Sequence, residues 1–145
     1  MFGGISGVTA TRGSGDPQIG ARVIYNSREF VYVHNAGDRD IPPSYGITPQ
    51  TACSSYSGTL SSAAYGQMFG VVVHATLTTG TYGWVCNRGV VQVRIGSAAV
   101  DGNFISVGAN GVFATYVCGT TGKEVGFIVS ASSGSTAMAT AYVNL

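Results

Sequence analysis

Charge is what this sequence most lacks. Seven basic and six acidic residues among 145 make 9% charged, with a formal net charge of +1, where a soluble domain ordinarily carries about 25%. Such a chain does not bind nucleic acid through a basic surface, and it is not held unfolded by self-repulsion. Helix formers are scarce as well: three leucines, and three residues of Lys and Glu together, stand against eighteen valines. That is strand composition. Cysteine occurs three times, at Cys53, Cys86 and Cys118. The odd number and the absence of CxxC spacing argue against a disulfide framework or a zinc site and for buried free thiols in a protein made in the cytosol, with a single disulfide as the alternative. Long apolar runs are missing too. The longest strongly apolar stretch, Phe69 to Val73, is far short of the ~20 residues of a membrane span, so no membrane partner is expected. Met1 to Ser6 has neither a basic region nor a continuous apolar one, so no secretory signal is expected.

Glycine is abundant, 22 residues, but with only four prolines the two together stay below the roughly 25–30% of low-complexity chains. The length suits one domain with a real core. A folded monomer of this size exposes about 7,000 Å², or roughly 540 Å² for each charged residue. With 45% hydrophobic residues and a mean hydropathy of +0.26, so bare a surface points to a chain partly covered by other protein. A surface of uncharged Ser and Thr, which supply 29 positions, is the plainer alternative.

Glycine also punctuates the chain: the one Gly-free run longer than eleven residues is Ala21 to Ala36, and its middle reads as a hairpin, which leaves little room for helices. Residues 1–20 are Gly/Ser/Thr-rich with isolated Phe2, Ile5 and Val8 and show no clear period. They are read as an N-terminal arm, flexible or laid across a neighbour, ahead of a single β domain over 21–145. Arg22 to Tyr25, a turn at Asn26-Ser27, and Glu29 to His34 form the hairpin; Phe30, Tyr32 and His34 fall on one face and Val31 and Val33 on the other. Asn35 to Pro43 is a loop. Residues 44–66 are ambiguous: Leu60, Ala64 and Met68 have helical spacing, and Ile47 to Tyr56 could be extended. Met68 to Ala75 reads as the clearest core strand. Trp84–Cys86, Val90–Ile95, Ala98–Val100, Phe104–Val107, Val112–Ala114, Val125–Ala131 and Ala137–Leu145 continue in extended steps divided by turns such as Asp101-Gly102-Asn103 and Gly108 to Gly111. The expected fold is all-β, a small barrel or sandwich of about nine short strands with an extended N-terminal arm.

Residues that could carry chemistry are few. Gly119-Thr120-Thr121-Gly122-Lys123 has the wrong spacing for a phosphate loop, Glu124 replaces the Ser/Thr, and no helix follows; Gly13-Ser14-Gly15 lacks a third glycine. His34 and His74 are the only imidazoles. Without a G-x-S-x-G elbow or a close ligand spacing, they read as ordinary strand residues rather than catalysts or metal ligands. Asp38 and Asp40 flank Arg39 in a solvated or ion-paired loop. No catalytic residue, metal or cofactor is expected. The aromatics are more informative: eight Tyr, six Phe and Trp84, several beside turns, serve either as core or as interface anchors. Six of the seven basic residues are Arg, which suits bidentate contacts across subunit boundaries. The candidate interface residues are therefore Phe2, Ile5, Val8 and Arg12 of the arm, with Arg39, Tyr45, Tyr56, Tyr82 and Trp84.

From Gly70-Val71-Val72-Val73-His74 through Thr79-Gly80-Thr81-Tyr82-Gly83-Trp84-Val85, then Asp101-Gly102-Asn103-Phe104 and Gly111-Val112-Phe113, the chain resembles the small capsid decoration, or cement, proteins of tailed bacteriophages. The likeness covers about residues 66–145, more weakly 21–47, and rests on packing and turn motifs. The resemblance implies a β-barrel or sandwich that binds the outside of an assembled head, often as a homotrimer, and reinforces junctions between major capsid subunits. It implies a virion protein made in the host cytoplasm, with the major capsid protein and other copies of itself as partners and no enzymatic activity. Alternatives are another phage structural part, such as a capsid, tail-tube or fibre subunit, and a carbohydrate-binding β module using exposed aromatics including Trp84.

Overall fold

The computed structural model describes residues 18–50, 56–60, 67–96, 100–118, 124–131 and 138–145. The arm positions Phe2, Ile5, Val8 and Arg12, the helical spacing at Ala64 and the turn at 119–123 lie outside them. Among the described residues ten strands form one continuous sheet: β1 (Arg22–Tyr25), β2 (Arg28–Asn35), β3 (Gly46–Pro49), β4 (Ser57–Thr59), β5 (Gly70–Val71), β6 (Tyr82–Arg94), β7 (Phe104–Val107), β8 (Phe113–Thr115), β9 (Glu124–Ala131) and β10 (Met138–Asn144). There is no helix among the described residues.

The sheet is closed by a second pairing. Its order is β1-β2-β4-β3-β5-β6-β10-β9-β7-β8, and β2 also pairs antiparallel with β6. The strands β2, β4, β3, β5 and β6 thus make a small barrel, filled by Val31, Val33, Ile41, Ile47, Phe69, Val72, Leu77 and Val85. The strands β6, β10, β9, β7 and β8 curl the other way, and a bridge from Ile95 to Phe113 returns β8 to the end of β6. Their inner face, with the outer face of the barrel, encloses a larger core that includes Phe30, Tyr32, Trp84, Cys86, Val91, Val93, Ile105, Phe113, Ile128 and Ala141.

Strand β2 therefore lies between two cores, as the alternation of Phe30 and Tyr32 with Val31 and Val33 requires; all four are buried. Its turn is built from two non-glycine residues at positive φ, Asn26 (49°) and Ser27 (60°), the geometry whose twist matches antiparallel strands. The segment before β1 is bonded in as well: the Gly20 amide donates to the Tyr32 carbonyl and the Tyr32 amide to Ala21. At the far end of β2, buried Asn35 donates from Nδ2 to the carbonyls of Arg39 and Leu77, both at 2.9 Å, and its Oδ1 accepts from the Gly37 amide at 3.1 Å. One amide side chain thereby folds the Pro-rich loop against the 77–81 turn with its hydrogen-bonding groups satisfied.

The two extended steps expected at Trp84–Cys86 and Val90–Ile95 are one strand. In β6 the buried positions run Trp84 and Cys86, then Val91 and Val93, with Gln92 and Val90 outside. The register against β2 slips between Glu29 and Phe30, which face Arg88 and Cys86, so Asn87 is an extra residue. That bulge reverses the parity and keeps apolar side chains on the same core. Asn87 is buried and donates to the carbonyls of Phe69 (3.1 Å) and Leu145 (3.0 Å), while its Oδ1 accepts from Arg22 (3.2 Å). The expected core strand Met68–Ala75 is reduced to Gly70–Val71. Met68, Phe69 and Val72 are buried there, but the amides of Phe69 and Val72 bond Ile47 and Tyr45, and His74 is exposed. Apolar character marked this segment as core; the pairing geometry made it an irregular crossing.

Two outcomes follow. Ser27→Gly relieves the left-handed strain of the hairpin and should raise stability by about 0.5–1 kcal/mol, net of glycine's greater unfolded-state entropy; chemical denaturation measures it. Cys86 is fully buried and Cys118 exposed, and burial, partly offset by the positive charge of Arg28, pushes the Cys86 thiol up from about 9 to about 11. The unfolded chain loses that proton first, so this contribution to stability is intact below pH 9 and declines as pH rises towards 11. At about pH 8 iodoacetamide should modify Cys118 and spare Cys86 until the chain unfolds, as peptide mass spectrometry reads.

Candidate functional site: an apolar row on the outer sheet face

Strands β6, β10, β9 and β7 have a second face, turned away from the core. In β10, Ala139, Ala141 and Val143 are buried, so Tyr142 points outward. In β9, Ile128 is buried, so its neighbours Phe127 and Val129 point outward, the register slip at Val125 having reset the alternation, and in β7 Phe104 points outward while Ile105 is buried. The register lines these residues up: Val90 faces Tyr142, Tyr142 faces Phe127 and Phe127 faces Phe104. Four adjacent strands thus carry one continuous apolar row in direct cross-strand register. Val90 is 42%, Phe127 40% and Phe104 49% exposed. On a chain with so few charges, this row is the clearest surface for contact with another molecule.

Phe127 and Tyr142 stack with centroids 5.5 Å apart and planes 26° from parallel. Rings that close and that parallel overlap each other; they do not lie side by side as a flat platform. The Tyr142 hydroxyl accepts a hydrogen bond from Arg88 Nε at 3.2 Å, and that bond raises the already high Arg88 pKa. The row continues towards β1 through a groove of about 310 Å³ lined by Ile24, Ser27, Arg28, Glu29, Arg88 and Tyr142. Ile24, 73% exposed, forms its far wall. Glu29 in that groove is ion-paired with Arg22.

The aromatics singled out from the sequence sit elsewhere. Trp84 is 8% exposed, packed against Tyr32 at 5.1 Å, and its indole nitrogen has no hydrogen-bond partner among the described residues. Tyr82 is half-buried between His34 (4.4 Å) and Tyr32 (6.2 Å). Tyr45 and Tyr56 are half-buried against the barrel core, Tyr56 stacking on Phe69 at 5.5 Å. Arg39 is exposed in the loop that Asn35 ties down. The structure therefore does not gather Arg39, Tyr45, Tyr56, Tyr82 and Trp84 into one surface. What sequence reading passed over is the outward half of Phe104-Ile105 and Phe127-Ile128-Val129. Apolar neighbours on a strand must face opposite ways, so one of each pair is outside unless a second layer covers it.

His34 is held by its stack on Tyr82 and His74 is exposed, its ring 6.4 Å from Phe30. No group of three His, Cys, Asp or Glu side chains converges among the described residues. The carboxylate of Asp40 accepts from the Thr79 amide at 2.8 Å, and that of Asp101 from the Ala131 amide at 2.7 Å; both act as turn ties. A second hollow, of about 310 Å³ beside Arg22, Tyr56 and Asn87, is bordered by the satisfied Asn87 amide described above.

If the row is a surface feature rather than part of the fold's support, Phe104→Ser should change stability by no more than about 0.5 kcal/mol while shortening retention on a hydrophobic-interaction column. A large loss of thermal stability would instead place Phe104 inside the packing.

No protein-family model and no curated protein matches this sequence. Among solved structures, the fold is similar to the N base of the head fiber gp8.5 of bacteriophage phi29, at 15% identity and a TM-score of 0.56, over 79% of this chain and 94% of that one.

Proposed function

We propose that this chain is a structural component of a bacteriophage virion, bound as a homotrimer to the outer surface of the assembled head, where it strengthens contacts between major capsid subunits. The observation that carries the reading is the shared fold with a head-fiber base, which extends over nearly the whole of that domain. Two features of the chain support it. Its charge-poor surface carries a continuous apolar row, and the 17 residues ahead of Gln18 include Phe2, Ile5 and Val8, which could order on a neighbouring subunit. A protein that recognises only the assembled shell gains by repeating modest contacts in a symmetric oligomer. The reading needs no nucleic acid, membrane or cofactor.

The same fold likeness favours a second form of this reading, in which the domain is the base of a fibre on the head rather than a stand-alone cement. The carbohydrate-binding alternative loses its main residue, because Trp84 is in the core and the outward rings Phe127 and Tyr142 stack on each other.

The test is co-sedimentation of the purified chain with expanded heads of the phage that encodes it, followed by image reconstruction. Saturable binding with density outside the shell supports the proposal, and a chain lacking residues 1–17 should bind on the order of tenfold more weakly while melting at the same temperature. The deletion stops at 17 because Gly20 is already bonded to Tyr32. A chain absent from the particle and indifferent to heads would overturn the assignment.

A further inference from the structure

The apolar row has charged margins, and their arrangement identifies what it meets. Along the outer side of β6, Arg88 and Arg94 bracket Val90 and Gln92. Along the opposite margin, at β9 and β7, stand Glu124 and Asp101. Glu124 pairs with Ser106 at one end of β9, and the Asp101 carboxylate holds the amide of Ala131 at the other. The ladder sets their levels. Arg88 faces Asn144 and Val143 faces Gly126, which places Arg88 at the Glu124 end. Ala139 faces both Val93 and Ala131, which places Arg94 at the Asp101 end. A chain with six acidic residues has put two of them along one side of this face and two arginines along the other, level with each other; Glu29, in register with Arg88 on the arginine side, is ion-paired with Arg22.

We infer that this face is where copies of the chain meet: the β6 margin of one copy lies against the β9–β7 margin of the next, with Arg88 opposite Glu124 and Arg94 opposite Asp101 across an apolar strip of Val90, Tyr142, Phe127 and Phe104. A twofold axis parallel to the strands makes this match by exchanging left and right while keeping each level, and the threefold of the trimer proposed above makes it by setting the left margin of one copy beside the right margin of the next at the same level. A foreign partner gives no reason for a face to be complementary to itself. The contact deepens the virion reading by naming the second partner of the site, but it stands on the register and charges of this chain alone. Strands about 4.8 Å apart and rising about 3.4 Å per residue make the face roughly 20 Å on a side. That is on the order of 400–600 Å² per copy, below the ~800 Å² of a standard stable interface. Free copies should therefore associate only weakly, and attachment to a common particle would complete the assembly.

Sedimentation equilibrium of the full chain across about 1–500 µM tests this. The wild type should show reversible association with a dissociation constant on the order of 10 µM, weakening as salt rises. Arg88→Glu alone and Glu124→Arg alone should each weaken association about tenfold or more, and the two combined in one chain should return it to within about threefold of wild type. Phe127→Asp should abolish it, with circular dichroism confirming the fold. A wild type that stays monomeric to about 500 µM, or charge reversals that do not rescue each other, overturns the self-contact. The head-binding assay separates the two proposals. A monomer that still co-sediments with heads refutes this interface and leaves the virion reading standing, with the row assigned to the shell. Charge-rescued oligomers that ignore heads support the interface and refute that reading. Binding of soluble glycans, lost in Phe127→Asp without any change in mass, would also overturn it.

Discussion

The antiparallel pairing of β2 with β6 holds the molecule together. It closes the small barrel, and because the paired stretches Phe30–Val33 and Gly83–Cys86 are covered on both sides it also forms the floor of the larger core. Phe30 lies against Cys86 and Tyr32 against Trp84 on one side, while Val31 and Val85 fill the barrel on the other. Each of these side chains contributes roughly 1.5–3 kcal/mol by leaving water, and the pairing lets two adjoining residues of one strand serve two cores. The bulge at Asn87 is what permits β6 to continue for another seven residues, from Arg88 to Arg94, and become the first strand of the outer sheet. Without that extra residue, Val91 and Val93 would turn outward and Val90 and Gln92 inward, and an amide side chain would enter the larger core.

The polar residues of the interior serve this closure. Asn35 and Asn87 are buried, each bonded to main-chain groups from distant segments, and both sit where strand pairing stops or slips. An amide side chain there supplies the hydrogen bonds that the ladder cannot. The few ionised groups are handled differently. Arg22 and Glu29 are paired near the hairpin, and Arg88, Arg94, Asp101 and Glu124 frame the outer face. In the self-contact proposed above, so sparse a set of charges would specify orientation while apolar area would supply the attraction.

Much of the architecture was legible in the residues. The hairpin at Asn26-Ser27, the two-sided strand that follows it, the turns at Asp101-Gly102 and Asn110-Gly111, and the closing pair of strands all stand where alternation and turn chemistry placed them. The described residues hold ten strands where about nine were expected of the chain. The misreadings share one cause, since period-two patterning reports only strands that stay in register. At Asn87 the parity changes inside a single strand, so Trp84–Cys86 and Val90–Ile95 looked like two. Between Met68 and Ala75 the chain is apolar but crosses between strands, and only its middle pairs.

Composition by itself settled the class of molecule: abundant valine, frequent glycine and scarce helix formers leave a chain little choice but short strands, and thirteen charged residues leave a surface poor in hydration. Which aromatics would be outside was not decidable there. Trp84 and Phe127 both lie on apolar strands beside small residues, and one is core while the other is surface. Their difference is set by which strands find a second layer. That depends on pairings between residues far apart in the chain, such as Phe30 with Cys86 and Tyr142 with Val90, and long-range closure of this kind is a property of the folded sheet and not of any local run of sequence.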